Sequence, residues 1–202
     1  MAAERRDKYN SFQELKIHEK EGIDYKVLLR EGISGLAVIA PHGGGIEPGT
    51  DIIADWIAGT EHSFYSFMGI KSSGNSGLHI KSEQFDEPRG IEIARASDIV
   101  LSIHGCNGNE KVIHIGGRHE ELMKKIKERL NQAGFTALMS LRQELRGRKP
   151  ENICNQGRSG SGVQLEISGG LRRTMFDNLK DMDGRKETDV FIRFVASLRH
   201  LF

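Results

Sequence analysis

Disulfides, membrane spans and a dominant charge are all missing from this chain of 202 residues. Its two cysteines, Cys106 and Cys154, are too few for a disulfide framework, so the fold has to rest on its core. A chain of this length buries roughly 70% of its unfolded surface, enough for one domain without cross-links. No apolar run approaches the ~20 residues of a membrane-spanning helix. The formal net charge is only +1, and no nucleic-acid-binding module is recognisable, which argues against nucleic acid as the partner. Met1 to Lys8 is charged and lacks the apolar stretch of a secretory leader. That predicts synthesis in the cytoplasm, with release by lysis if the substrate lies outside the cell. Internal repeats and low-complexity tracts are absent too, and the chain is expected to work as a monomer.

What is present alternates. Asp24 to Leu29, Gly35 to Ala40, Ser63 to Met68, Ile99 to Ile103, Val112 to Ile115, Phe135 to Leu141 and Val163 to Ile167 each read as a strand, mostly short apolar runs closed by glycine or turn residues. Helical signals lie between them. Ser11-Phe12-Gln13-Glu14 has the form of a capping box. Thr50 caps a helix from Asp51 to Ala58 that Gly59 stops, and Pro88 to Ala96 is helical. Arg118 to Ala133 carries Leu122, Ile126 and Leu130 on one stripe, and Glu187 to Leu201 is amphipathic. This alternation predicts an α/β fold, a three-layer α/β/α sandwich around a mixed, mostly parallel open sheet.

Two strand ends share one grammar. Leu36 to Ala40 runs into Pro41-His42-Gly43-Gly44-Gly45-Ile46-Glu47, and Ile99 to Ile103 runs into His104-Gly105-Cys106. Loops at strand ends are where open α/β sheets bind ligands, so parallel neighbouring strands would bring His42, Glu47 and His104 to one edge. Imidazole and carboxylate are the ligand types of catalytic zinc. The competing readings are a glycine loop that merely closes a strand, and a phosphate loop. The latter needs Lys-Ser or Lys-Thr after the glycines, whereas Ile46-Glu47-Pro48 follows and repels phosphate. Cys106 is a neighbouring bystander without a specified base, and His114 with His119 is a weaker alternative metal pair. His18, His62 and His200 read as surface or structural.

Hydrolysis at such a centre also needs a general base. Glu166, in phase with Gln164 and Ser168 on the last predicted strand, is the candidate, against the ordinary reading of a solvent-facing carboxylate. Glu144 to Gly162 has no clear period, and long structureless loops are usually functional. Residues 142 to 173 hold Arg142, Arg146, Arg148, Lys149, Arg158, Arg172 and Arg173 against Glu144, Glu151 and Glu166. A basic segment beside the base favours an anionic substrate, unless it is only a solvated loop.

These blocks, together with Leu78-His79-Ile80, Phe85-Asp86-Glu87-Pro88 and Gly157-Arg158-Ser159-Gly160, resemble the poly-γ-glutamate hydrolases of bacteriophages and prophage-like regions, also labelled phage-related replication proteins. The resemblance runs from about Tyr25 to the C-terminal helix. It implies a zinc amidohydrolase of carboxypeptidase-A-like α/β/α fold, with one zinc on His42, Glu47 and His104 and with Glu166 as base. Zinc carboxypeptidases place His and Glu three apart, whereas Glu47 follows His42 by five. The implied substrate is poly-γ-glutamate, whose carboxylates Arg158 first, then Arg172 and Arg173, would hold, with His79 touching substrate or stabilising an oxyanion. Small N-acylated acidic amino acids are the alternative substrate class, and a phage replication or nucleic-acid-binding accessory the alternative function.

Overall fold

A computed structural model of the chain describes residues 7–199, 201 and 202. Most of the charged N-terminal stretch, and His200, lie outside the described residues. Seven strands form one sheet: β1 (Tyr25–Arg30), β2 (Leu36–Gly44), β3 (Ser63–Gly69), β4 (Ile99–Cys106), β5 (Val112–Gly117), β6 (Thr136–Met139) and β7 (Val163–Ser168), in the order β1-β3-β2-β4-β7-β5-β6. β1 is antiparallel to β3 and β5 is antiparallel to β7, while the other neighbours are parallel. The sheet is mixed and mostly parallel, as the alternation of elements predicts.

Among the described residues six α-helices accompany it: α1 (Phe12–His18), α2 (Thr50–Ala58), α3 (Pro88–Ala96), α4 (Glu120–Gln132), α5 (Gly169–Met175) and α6 (Asp189–Arg199). One sheet face, with Val38, Ala40, Leu101, Ile103, Ile113 and Leu165, is sealed by Ile53 and Ile57 of α2, Ile126 and Leu130 of α4, and Phe191 and Phe194 of α6. On the other face, Ala37, Ile39, Tyr65, Phe67 and Val100 pack under Phe12 and Leu15 of α1 and Ile93 and Ala94 of α3. Burial of this kind stabilises by about 25 cal/mol per Å² of apolar surface.

Three local expectations are corrected. Gly49, in the left-handed region at φ 91°, is the N-cap of α2; Thr50 is inside the helix, its hydroxyl donating to the Glu47 carbonyl at 2.9 Å. α5 follows β7 directly, capped by Ser168, whose hydroxyl accepts from the Leu171 N–H. Its two opening glycines hide the helical signal from a propensity reading. Finally, β2 and β4 run on through the glycines to Gly44 and Cys106, so His42 and His104 lie within strands and not on the loops after them.

Candidate metal centre and active site

The register of β2 against β3 shifts just before the first glycine: Ala40 is opposite Ser66 and Gly43 is opposite Met68, so three steps on β2 match two on β3. Side chains alternate along a strand, and Val38 and Ala40 face the α2, α4 and α6 layer. Without the extra residue, His42 would follow them. The bulge turns it to the opposite face, which is the face of Val100 and therefore of Ser102 and His104 on β4. Pro41 occupies the irregularity, one of the few places in a sheet that tolerates proline.

The candidate side chains converge there. His42 Nδ1 is 3.1 Å from His104 Nδ1 and 3.2 Å from Glu47 Oε1, and His104 Nδ1 is 3.7 Å from Glu47 Oε2. Both rings are held from behind: His42 Nε2 donates to the Ile80 carbonyl at 2.7 Å, and His104 Nε2 meets Ser102 Oγ at 2.7 Å. Glu47 Oε2 accepts the Gly105 N–H at 2.8 Å.

This donor set fits a metal. A carbonyl only accepts, so the neutral His42 ring carries its lone pair on Nδ1, facing a carboxylate and a second ring nitrogen. Such a cluster suits a cation held between its members, a metal ion or a shared proton. Ligands at 2.0–2.1 Å from a tetrahedral zinc stand roughly 3.3 Å apart; the two His42 contacts are close to that, and the Glu47 carboxylate turns one oxygen to each ring. His79 offers a second way to complete the set, since donor atoms of His42, Glu47 and His79 lie within 4.8 Å of one another. Its Nε2 is 3.8 Å from Glu47 Oε1. His104 Nδ1 is 3.7 Å from Glu47 Oε2, so His104 and His79 are both candidates for the third ligand.

Electrostatics follow from burial and crowding. Burial pushes the Glu47 carboxyl up, but His42 and His104 outweigh it and hold it well below the ordinary range. Burial pulls His104 down, and Glu47 with Glu166 more than reverses that. Glu166 stands opposite His104 in register on β7, 8% exposed, and accepts from Gln164 Nε2 at 3.2 Å. Burial raises its carboxyl to about 7, with His104 opposing the shift and Glu47 adding to it. His79 Nδ1 bonds Asp7 Oδ1 at 2.7 Å; burial first, then the nearby His42, takes it down to about 4. Burial lifts the Cys106 thiol to about 11, which disfavours its thiolate.

The arginines divide. Arg158 is not at the site: it pairs with Asp98 at 3.3 Å, and its N–H bonds the Ser97 carbonyl. Asp98 precedes β4 and His104 lies six residues further along it, roughly 20 Å at strand rise. Arg172 is near, but buried; Nε, Nη1 and Nη2 donate to the carbonyls of Ile167, Pro48 and Cys106. It ties strand ends together and places a positive charge behind the site. Arg173 is exposed and bonds Asn109 Oδ1 at 2.7 Å. The alternative pair dissolves as well: the Leu122 N–H at the start of α4 donates to His119 Nδ1, while His114 lies on β5 opposite Glu166. Sequence reasoning did not reach Asp7, Ser102 or the Ile80 carbonyl. Ser102, two residues before His104 on a strand, has the same spacing as Gln164 before Glu166, and that shared period is the signal available for it.

All of these residues except Asp7 fall within residues 9–197, which match the family model described as poly-gamma-glutamate hydrolase. The chain belongs to the poly-gamma-glutamate hydrolase family. It is 40% identical over 171 residues to the UPF0714 protein YndL of Bacillus subtilis (strain 168), a match covering 84% of this chain and 67% of YndL. Its fold is similar to that of a bacteriophage poly-gamma-glutamate hydrolase, with a TM-score of 0.92, 31% identity and 96% of each chain covered. The zinc-free apo form of YndL superposes with a TM-score of 0.90, at 36% identity and again over 96% of each chain. Membership of this family makes the chain a hydrolase.

Proposed function

We propose that the chain is a zinc-dependent amidohydrolase that cleaves the γ-glutamyl amide bonds of poly-γ-glutamate. The observation that carries this reading is the convergence of His42 Nδ1, His104 Nδ1 and the Glu47 carboxylate at 3.1–3.7 Å, with Glu166 on the next strand. His42, Glu47 and His104 would hold one zinc, which supplies Lewis acidity and lowers the pKa of water there. Glu166 acts as general base and then acid: a carboxyl held near neutrality by burial takes the proton of the attacking water and returns it to the departing nitrogen. Gln164 fixes its orientation. Ser102 and the Ile80 carbonyl fix the two imidazoles, as partners behind metal-binding histidines do.

His79, oriented by Asp7, presents Nε2 beside Glu47 and is placed to touch the substrate or the developing oxyanion. Arg172 contributes positive potential from behind, and Arg173 is a cation at the rim. The support for the polymer as substrate is family membership together with the bacteriophage relative's activity. The test is incubation with poly-γ-glutamate, with and without chelator, followed by sizing of the products. Chain shortening that chelation abolishes and zinc restores is the expected result. An intact polymer alongside hydrolysis of small N-acylated glutamates would move the assignment to the smaller substrates.

A further inference from the structure

The two halves of the sheet are covered unequally. On the face that carries His42 and His104, α1 and α3 pack over β1, β3, β2 and β4. Beyond β4 the same face is covered at Gln164 and Gly116 by residues 145–152 and opens beside them. His104, Glu166, His114 and Leu138 form one row in register across β4, β7, β5 and β6, with side chains on that face. Exposure rises along the row, from 2% at His104 and 8% at Glu166 to half-buried His114 and 46% at Leu138. The opposite face of the same strands is closed by α4 and α6. An open strip thus begins beside the buried Glu166 and runs over His114 and Leu138 to the edge of the sheet.

The outer end of the strip is apolar and its rim is cationic. Leu138 and Leu141 are exposed there, and the chain leaves β6 through Arg142, Arg146 and Arg148, all exposed. Ser140 continues the β6 ladder by donating its N–H to the Ile115 carbonyl, and its hydroxyl bonds the Arg142 carbonyl, which fixes Arg142 beside the strip. The charge of Arg142 is felt by both His114 and Cys106, after burial the second influence on His114. Its only partner among the described residues is Glu144, at 2.7 Å and 2.9 Å, in a pair more than half exposed. Such pairs contribute little and exchange readily.

We propose that the open strip over His114 and Leu138, beside Glu166, is a binding groove for the anionic polymer, and that Arg142 is a carboxylate contact within it. The proposal rests on the function proposed above. A γ-linked glutamate chain has methylenes in its backbone and one free carboxylate per unit, so it matches an apolar floor beside arginines. Two strand spacings from β7 to β6, about 9.5 Å, leave room for roughly one to two extended units beyond the proposed base.

Arg142→Glu and Leu138→Asp test it in the full chain loaded with zinc. The expected result is a KM for long poly-γ-glutamate raised about tenfold by Arg142→Glu and severalfold by Leu138→Asp. Turnover should stay within about twofold, zinc content should be unchanged, and KM for a γ-linked dipeptide should be unaltered. In a Glu166→Gln background, fluorescence anisotropy with labelled polymer should show the same loss of affinity without turnover. Wild-type KM for the polymer in both variants overturns the groove and leaves the function standing. If the wild type neither binds nor cuts the polymer, function and groove fall together. Competition by an oligonucleotide of equal charge as effective as the polymer itself would mark a general polyanion surface and also overturn the proposal.

Discussion

His42 and His104 meet because β2 carries one residue more than β3 between Ala40 and Gly43. The consequence is testable one side chain at a time. His42→Ala and His104→Ala should each lose zinc by elemental analysis, while His79→Ala should retain it; retention in both of the first two would place the ion elsewhere. Glu166→Gln keeps shape and removes the base, so zinc should stay and turnover on the polymer should fall by ~10²-fold or more. Near-wild-type turnover in that variant would sink the assignment. A third residue-scale test concerns Gly105, where an added Cβ would lie 2.5 Å from the Arg172 Cζ. Gly105→Ala forces the guanidinium off the three carbonyls it serves and should cost about 1–3 kcal/mol in urea unfolding.

At the scale of elements, α1 is fastened through Glu19 just past its C-terminus. Glu19 is 6% exposed and receives Tyr9 Oη at 2.6 Å, Lys8 Nζ at 2.9 Å and Lys71 Nζ. Burial pushes its carboxyl up, but these donors outweigh burial and hold it at about 2 against an ordinary 4.5. A depressed folded pKa means that the unfolded chain binds more protons between those values. The stabilisation, about 3 kcal/mol at most, is therefore complete above pH 4.5 and is lost as pH falls towards 2. Denaturation at pH 6 and pH 3 should show a smaller acid loss in Glu19→Gln than in the wild type; equal losses would remove Glu19 as the cause.

Elements were also where the sequence was most legible. Pro88 to Ala96 and the cap at Ser11 have local causes, a proline at the first turn and a serine hydroxyl accepting from Glu14; the helix is found as read, while the return arm of the capping box goes from Glu14 to the Asn10 N–H instead of Ser11. Glu166 and Gln164 share a face because strands alternate. The bulge that reverses His42 is a matter of pairing between strands, and nothing in Ala40-Pro41-His42 alone reveals the register. Arg158 misled for the same reason: it is near Glu166 in sequence, but β7 runs the whole depth of the sheet between them. Asp7 reaches His79 only because the chain ahead of α1 lies against residues 75–79, a contact no local pattern encodes.

For the whole molecule, the proposed ligands come from residues as far apart as 42 and 104, so binding them together stabilises the native state alone. Zinc at a hundred times its dissociation constant should add about 2.7 kcal/mol. For a domain of this size that raises Tm by roughly 5–10 °C. Thermal unfolding with chelator and then with added zinc measures this, and an equal rise in His42→Ala would disprove the linkage to this centre.

β7 lies between β4 and β5 but is the last of the seven sheet strands in the chain. As the protein emerges from the ribosome, β1 to β6 are made while the central slot is empty, with β4 and β5 each holding an unpaired edge. The arrival of Val163–Ser168 closes both edges and carries Glu166 to His104 in the same movement. An unfinished copy therefore has sticky strands and lacks the proposed base, so on this reading hydrolytic competence begins only when the sheet has become one piece.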